Sequence, residues 1–378
     1  MKVYKNQPLL TFIVIFLLVV FDRTVPQVSL IDRAIVTVLS VDFLEDKYEV
    51  GAQIVKSSSQ GNEKSMGYVV AEGKGKTLGE AISDIGARTG LDVSLSHCNT
   101  IVLGQGAMLV PDLFDLFYLI KSWQLPEQAV VLGYEGRAAE VLKAHLAADN
   151  SVGAYLQKIA DYTKVSAPVL STMIKDFLVD YISGGQVAAI SGLSLIPVSS
   201  ESLDQTGAAL DIDYYEIKAE GGFLLKQGGR VINLSKDDIE ALNYLTNKVK
   251  EGSFVLEGEE KTYYAELVKA DKKIKYDLSD GYKVQAEIEL TVKIREAAGG
   301  KGGPSFTAEE QDYICELCGQ KLGDAVERAV KYFKEQDADA AGFYDGFYRK
   351  GGRGIRNTEP SEILRRTEFS VDVKVKLA

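Results

Sequence analysis

The sequence predicts a mixed α/β protein of the α+β kind, with an N-terminal signal or anchor helix followed by about three sheet-and-helix domains. Three observations carry this. Val- and Ile-rich segments alternate with amphipathic helical ones over the first half of the chain; two strands of strict period two frame a long helix near the C-terminus; and a charge-free apolar run stands behind two lysines at the start.

The apolar run is Leu9 to Phe21 (LLTFIVIFLLVVF), behind Lys2 and Lys5. About thirteen apolar residues after a basic flank make an export segment, because the positive flank stays in the cytoplasm while the residues C-terminal to the run are translocated. The run is shorter than the roughly 20 residues of a straight membrane-spanning helix and matches the 7–15 residue core of a signal peptide. It leaves through Val19, Val20, Phe21, Asp22 and Arg23, which lack the small residues a signal peptidase recognises. Residues 1–24 are therefore export signal or membrane anchor, and the chain beyond is extracytoplasmic.

Ala34 to Val41 and Tyr48 to Val55 read as a hairpin turning at Glu45, Asp46 and Lys47. A strand from Gly67 to Ala71 leads through Gly73 and Gly75 to Thr77, which caps a helix; Glu80 completes a capping box, and Leu78, Ala81, Ile82 and Ile85 form the apolar face. Short strands come next at Leu91–Leu95 and Thr100–Leu103. Pro111 suits the first position of a helix to Ser122. Ala129–Tyr134 is a strand, Arg137–Ala147 a helix, Val152–Thr163 and Pro168–Ile182 two more helices, and Val187–Ile196 a strand. These segments make an N-terminal mixed α/β domain, residues 30–198.

The polar stretch Ser199 to Thr206 has no apolar period and marks a boundary. Beyond it, Tyr214–Lys218, Phe223–Lys226 and Val231–Asn233 are short strands broken by Gly221-Gly222 and Gly228-Gly229. A helix from Ser235 to near Val249 completes a small middle domain, 207–258. In the last region, 259–378, Val284, Ala286, Ile288, Leu290, Val292 and Ile294 alternate with polar residues, and Phe369, Val371, Val373, Val375 and Leu377 do the same. One wet face on each predicts a C-terminal antiparallel sheet. Between them Thr307 and Glu310 form a capping box, and the helix runs to about Gln336 with Ile314, Leu317, Cys318, Leu322, Val326, Val330 and Phe333 on its inner face.

The composition narrows the function. The chain has 378 residues, is 26% charged and 46% hydrophobic, and carries a net charge of −11, which argues against binding nucleic acid or an anionic lipid surface. Three cysteines make no disulfide framework, and His97 and His145 lie too far apart in sequence to build a local metal site or triad.

Three motifs invite chemistry. Cys315-Glu316-Leu317-Cys318 has thioredoxin-like spacing, but the cap at Thr307 puts it two turns inside the helix, where the terminal dipole has faded, so core packing is favoured. Gly73-Lys74-Gly75-Lys76-Thr77 resembles the end of a phosphate loop, yet Val70 stands where the first glycine belongs; a glycine turn before a capped helix accounts for it better. His97 lies between Ser96 and Cys98, and neighbours along a strand point to opposite faces, which favours a hydrogen-bonded structural histidine. No catalytic, cofactor-binding or metal-ligating residue and no cofactor is assigned.

Taken in order, several segments resemble the Ger(x)C family, the C subunits of GerA-type spore germinant receptors. They are Phe21-Asp22-Arg23, Ala34-Ile35-Val36, Val41-Asp42, the stretch Gly75 to Ala81, Ser96-His97-Cys98-Asn99-Thr100 through Gly104, Lys334 through Phe343, and the alternating terminal strand. The resemblance implies three α/β domains, no catalytic site, a place on the outer face of the spore's inner membrane, and work with multi-spanning A-type and B-type subunits. Family members carry a lipidated cysteine where this chain has Val20, and Cys98 is its first cysteine, so a diacylglycerol anchor is ruled out there. Aliphatic residues usually fill the Cys315 and Cys318 positions.

The expectation is a non-enzymatic, extracytoplasmic, membrane-associated subunit that contributes to nutrient-triggered germination through protein–protein contacts. The alternatives are a thiol–disulfide protein using Cys315 and Cys318, and a solute-binding module.

Overall fold

The computed structural model describes residues 33–56, 67–146, 151–163, 167–198, 213–246, 249–299 and 306–378, with 11–13 and 15–16 from the N-terminal run, which are helical and exposed. The rest of that run, Val20 and the boundary stretch Ser199 to Thr206 lie outside the described residues. No described helix is long and apolar enough to cross a membrane.

The hairpin forms as expected. β1 (Arg33–Leu44) and β2 (Lys47–Lys56) pair antiparallel up to Leu44 opposite Lys47. Glu45 and Asp46 both adopt positive φ, 50° and 59°, the backbone a two-residue hairpin turn demands. β3 (Gly67–Gly75) adds to β2. On the other side of β1 lie the parallel strands β4 (Asp92–Ser94), β5 (Thr100–Gly104) and β6 (Val130–Tyr134). A two-residue β7 (His145–Leu146), the long β8 (Val187–Val198), β9 (Tyr214–Lys226) and β10 (Arg230–Leu234) complete the sheet, whose main path is β10-β9-β8-β6-β5-β1-β2-β3, with β4 paired to β1 and β7 to β9 off that path.

Helices cover both faces. On one side α1 (Leu78–Thr89), α2 (Phe117–Trp123) and α5 (Ile174–Ile182) pack against Ile101, Leu103 and Val131; on the other, α3 (Ala138–Lys143) and α4 (Val152–Thr163) pack against Val102, Val130 and Leu132. Burial on both faces is why the central strands read as continuous apolar runs.

A second sheet has the order β11 (Ser253–Glu257), β12 (Thr262–Asp277), β13 (Tyr282–Ala298), β14 (Thr367–Leu377). With it go α6 (Lys236–Thr246), the long α7 (Ala308–Glu335), α8 (Phe343–Gly351) and α9 (Pro360–Arg366). Its core continues into the first sheet: Val187, Leu224 and Ile232 share one buried cluster with Ile239, Ile288 and Val326. Residues 207–258 thus supply β9 and β10 to the first sheet and β11 to the second.

α7 matches its sequence signals closely. Thr307 Oγ1 accepts the Glu310 N–H and the Glu310 carboxylate accepts the Thr307 N–H, a complete capping box. Thr307→Ala is expected to cost about 1 kcal/mol in chemical denaturation, the usual worth of such a cap. At α1 only half the box forms: Thr77 accepts the Glu80 N–H, but Glu80 takes the N–H of Lys76 instead of that of Thr77.

Other expectations need correction. β14 runs parallel to β13, paired from Tyr282–Thr367 to Val292–Leu377, because the crossover through α7, α8 and α9 returns the chain to the same end of the sheet. The helix expected from Pro111 begins as a 3-10 turn at Phe114 and as α-helix only at Phe117. Asp112 Oδ1 accepts the Phe114 N–H, and the Pro111 carbonyl accepts from Gly228 N and Tyr181 Oη. Residues 168–173 are not helical: Asn243 Nδ2 donates to the carbonyls of Ala167 and Val169, the Leu170 N–H donates to Ser191 Oγ, and the Thr172 carbonyl accepts from Val131. α3 stops at Lys143 because His145 and Leu146 pair with β9, and the two strands expected at Tyr214–Lys218 and Phe223–Lys226 are one, with an irregularity where it passes Ser191 and Leu193.

Candidate functional site

The residues singled out for chemistry do not come together. Cys315 is half-buried and Cys318 fully buried in α7, both as free thiols. Burial, with the neighbouring Cys315 thiol, pushes Cys318 up to about 12, and burial with Asp312 raises Cys315, the reverse of what a reactive thiolate requires. His97 lies exposed in the turn between β4 and β5. Gly73 and Gly75 belong to β3, and their missing side chains serve packing: a Cβ on Gly73 would sit 2.1 Å from the Ala81 carbonyl oxygen, and one on Gly75 2.5 Å from the Ala81 nitrogen. They let α1 lie directly on the strand.

The stretch Asp337 to Phe343, between α7 and α8, holds the two sheets together. The Lys226 ammonium, on β9, donates to the Asp337 carbonyl and, at 3.0 Å, to its carboxylate. Beside it Arg230 donates to Gln336 at 3.0 Å, and Tyr332 Oη donates to the Asn233 carbonyl at 3.0 Å. Asp339 turns its carboxylate onto the start of α8, accepting the Phe343 and Tyr344 N–H groups at 2.9 and 2.7 Å. The Tyr344 ring lies against Gly184, where a Cβ would come within 2.0 Å of it.

Next to this joint is a cavity of about 440 Å³ whose lining includes Thr172, Asp176, Asp180, Asp345 and Arg349. The carboxylates of Asp176, Asp180 and Asp345 border it together with the Arg349 guanidinium. Desolvation raises Asp180 to about 6, helped by Asp176 and Asp345; desolvation likewise raises buried Asp339 to about 6 against the pull of its backbone donors. A carboxyl with a folded pKa above its unfolded value stabilises most when protonated, so this contribution is present below about pH 4 and lost as pH rises through about 6. Asp180→Asn is therefore expected to gain melting temperature relative to wild type between pH 4 and pH 7, in paired thermal melts.

Lys226, Gly184, Asp176 and Asp180 carry no local sequence signal for these roles. Lys226 and Asp337 are 111 positions apart, and only the Gly184-Gly185 pair ahead of a strand hints at a close approach.

Comparison with known proteins gives the joint a context. Residues 26–195 match the family model described as the spore germination protein N-terminal domain, and residues 220–378 match the spore germination B3/GerAC-like C-terminal model. The chain belongs to the GerAC-like family of spore germination proteins. Its mixed α+β fold is similar to that in the crystal structure of the GerBC protein, with a TM-score of 0.56 at 16% identity over 90% of this chain and 96% of that one. No curated protein matches the chain. Of the stretches that carry the resemblance, Ser96 to Gly104 holds β5, and Lys334 to Phe343 runs from the end of α7 through the joint into α8. The family places this chain in spore germination.

Proposed function

We propose that the chain is a non-enzymatic, extracytoplasmic subunit of a germinant receptor-like complex on the outer face of the inner spore membrane. It works there with multi-spanning A-type and B-type subunits and contributes to nutrient-triggered germination through protein–protein contacts. The observation that carries this reading is the family match, which spans both sheets and includes the joint between them. The N-terminal run from Leu9 to Phe21, in place of a lipid on a cysteine, holds the chain at the membrane.

The thiol–disulfide alternative is disfavoured by where the thiols sit. Both are raised, and Cys318 is fully buried. Spores lacking the chain are expected to lose their response to nutrients. Spores carrying Cys315→Ala with Cys318→Val are expected to keep it, with the protein's stability changed by less than about 1.5 kcal/mol. A normal nutrient response without the chain would contradict the proposal, and loss of response in a folded double variant would restore the redox reading.

A further inference from the structure

Exposed large hydrophobic side chains occur on strands and turns, at Val69, Leu109, Ile196, Val255, Tyr264 and Val268, and as a group on one set of helical segments. Among the described residues from 33 onward, every large hydrophobic side chain that a helix exposes, Tyr348 of α8 apart, lies on α2, α5 or the 3-10 turn leading into α2. Tyr118 is 51% exposed, Val179 60% and Ile182 54%, and the stacked pair Phe114 and Phe117 stands with ring centroids 5.3 Å apart. The opposite faces of the same helices are fully used: Leu116 and Leu119, and Ile174, Phe177 and Tyr181, are buried against the sheet. The outward side is thus apolar beyond the needs of the fold. The neighbouring α1 shows the ordinary pattern, exposing Glu80, Arg88 and the ion-paired Asp84 region.

Carboxylates outnumber cations four to two on these segments. Asp112, Asp115, Asp176 and Asp180 are exposed among the apolar residues, with Lys121 and Lys175 as the cations of the same segments and Arg349 of α8 across the cavity that Asp176 and Asp180 border. None of the four carboxylates forms an ion pair among the described residues, whereas Glu49 on β2 binds both Lys74 and Arg137. An apolar surface with unpaired carboxylates repels an anionic membrane and suits a polypeptide in which cations accompany apolar side chains.

Resting on the reading that the chain works within a complex, we propose that the outward face of α2 and α5 is its docking surface, and that the partner presents a segment with lysine or arginine set among apolar residues. The apolar contacts supply the buried core of the interface and the carboxylates fix its register at the rim.

The test is site-specific photo-crosslinking in sporulating cells that make the full receptor. The photoreactive residue replaces Tyr118, Val179 or, on the solvent face of β13, Glu289. Adducts between the chain and a multi-spanning subunit are expected from Tyr118 and Val179 and not from Glu289. Combining the probe with Asp176→Lys and Asp180→Lys should lower their yield by about tenfold or more at an unchanged amount of folded chain, since reversing two rim charges opposes a cationic partner. Adducts from Glu289 with Tyr118 and Val179 silent would overturn this surface and leave the complex standing. Lipid adducts in place of protein would overturn it in favour of a membrane-facing role. No protein adduct from any of the three positions would remove the complex reading, and this inference with it.

Discussion

Gly73→Val is expected to prevent stable folding of the first sheet and its helix layer. The added Cβ alone would stand 2.1 Å from the Ala81 carbonyl oxygen and 2.8 Å from the Ile85 nitrogen, both backbone atoms of α1. Backbone cannot swing aside as a flexible side chain does, so α1 must lift from β3. Lifting it uncovers Leu78, Ala81, Ile82 and Ile85, all buried, with Ala81, Ile82 and Ile85 at 0% exposure. Overpacking costs typically about 1–3 kcal/mol where the surroundings adapt, and losing a buried helix face adds to that. The total is comparable to the roughly 5–15 kcal/mol that holds an ordinary domain folded. Soluble yield and circular dichroism of the variant check this; a cooperative transition within about 1 kcal/mol of wild type would show that the contact relaxes.

Phe347→Ala is expected to destabilise the second sheet by about 3–5 kcal/mol in urea or thermal unfolding. Phe347 is fully buried, and its ring meets Tyr276 of β12 and Tyr282 of β13 edge-on, at centroid distances of 5.2 and 5.3 Å. It is the wedge by which α8 grips the sheet. The adjacent Gly346 lies so close to Tyr276 that a Cβ there would come within 2.0 Å of the ring, leaving the site little freedom to collapse around a missing side chain. A loss below about 1 kcal/mol would mean that the site repacks after all.

Local signals in the sequence translate well where the physics is local. The Thr307–Glu310 capping box, the apolar faces of α1 and α7, the two-residue turn at Glu45-Asp46 and the period-two strands β13 and β14 all arise from residues within a few positions of one another. Period two reports which face is wet and says nothing about strand direction, which is why β14 reads as antiparallel from sequence and is parallel in the fold. Segments governed by distant partners are illegible for the same reason. Residues 168–173 look helical until Asn243, more than seventy positions away, donates to the carbonyls of Ala167 and Val169. Gly73 and Gly75 read as a turn, because nothing in the local sequence states that a helix backbone presses on them. The joint at Asp337–Phe343 is legible as a family-like stretch, while its partners Lys226 and Gly184 become visible only in three dimensions.

The most direct measurement is purification of the chain, carrying an affinity tag at its C-terminus, from the inner membranes of spores solubilised in mild detergent. The proposal predicts that both multi-spanning subunits co-purify with it in fixed ratio, in a complex that withstands Cys315→Ala with Cys318→Val. Recovery of the chain alone, from membranes in which both other subunits are present and intact, would contradict it.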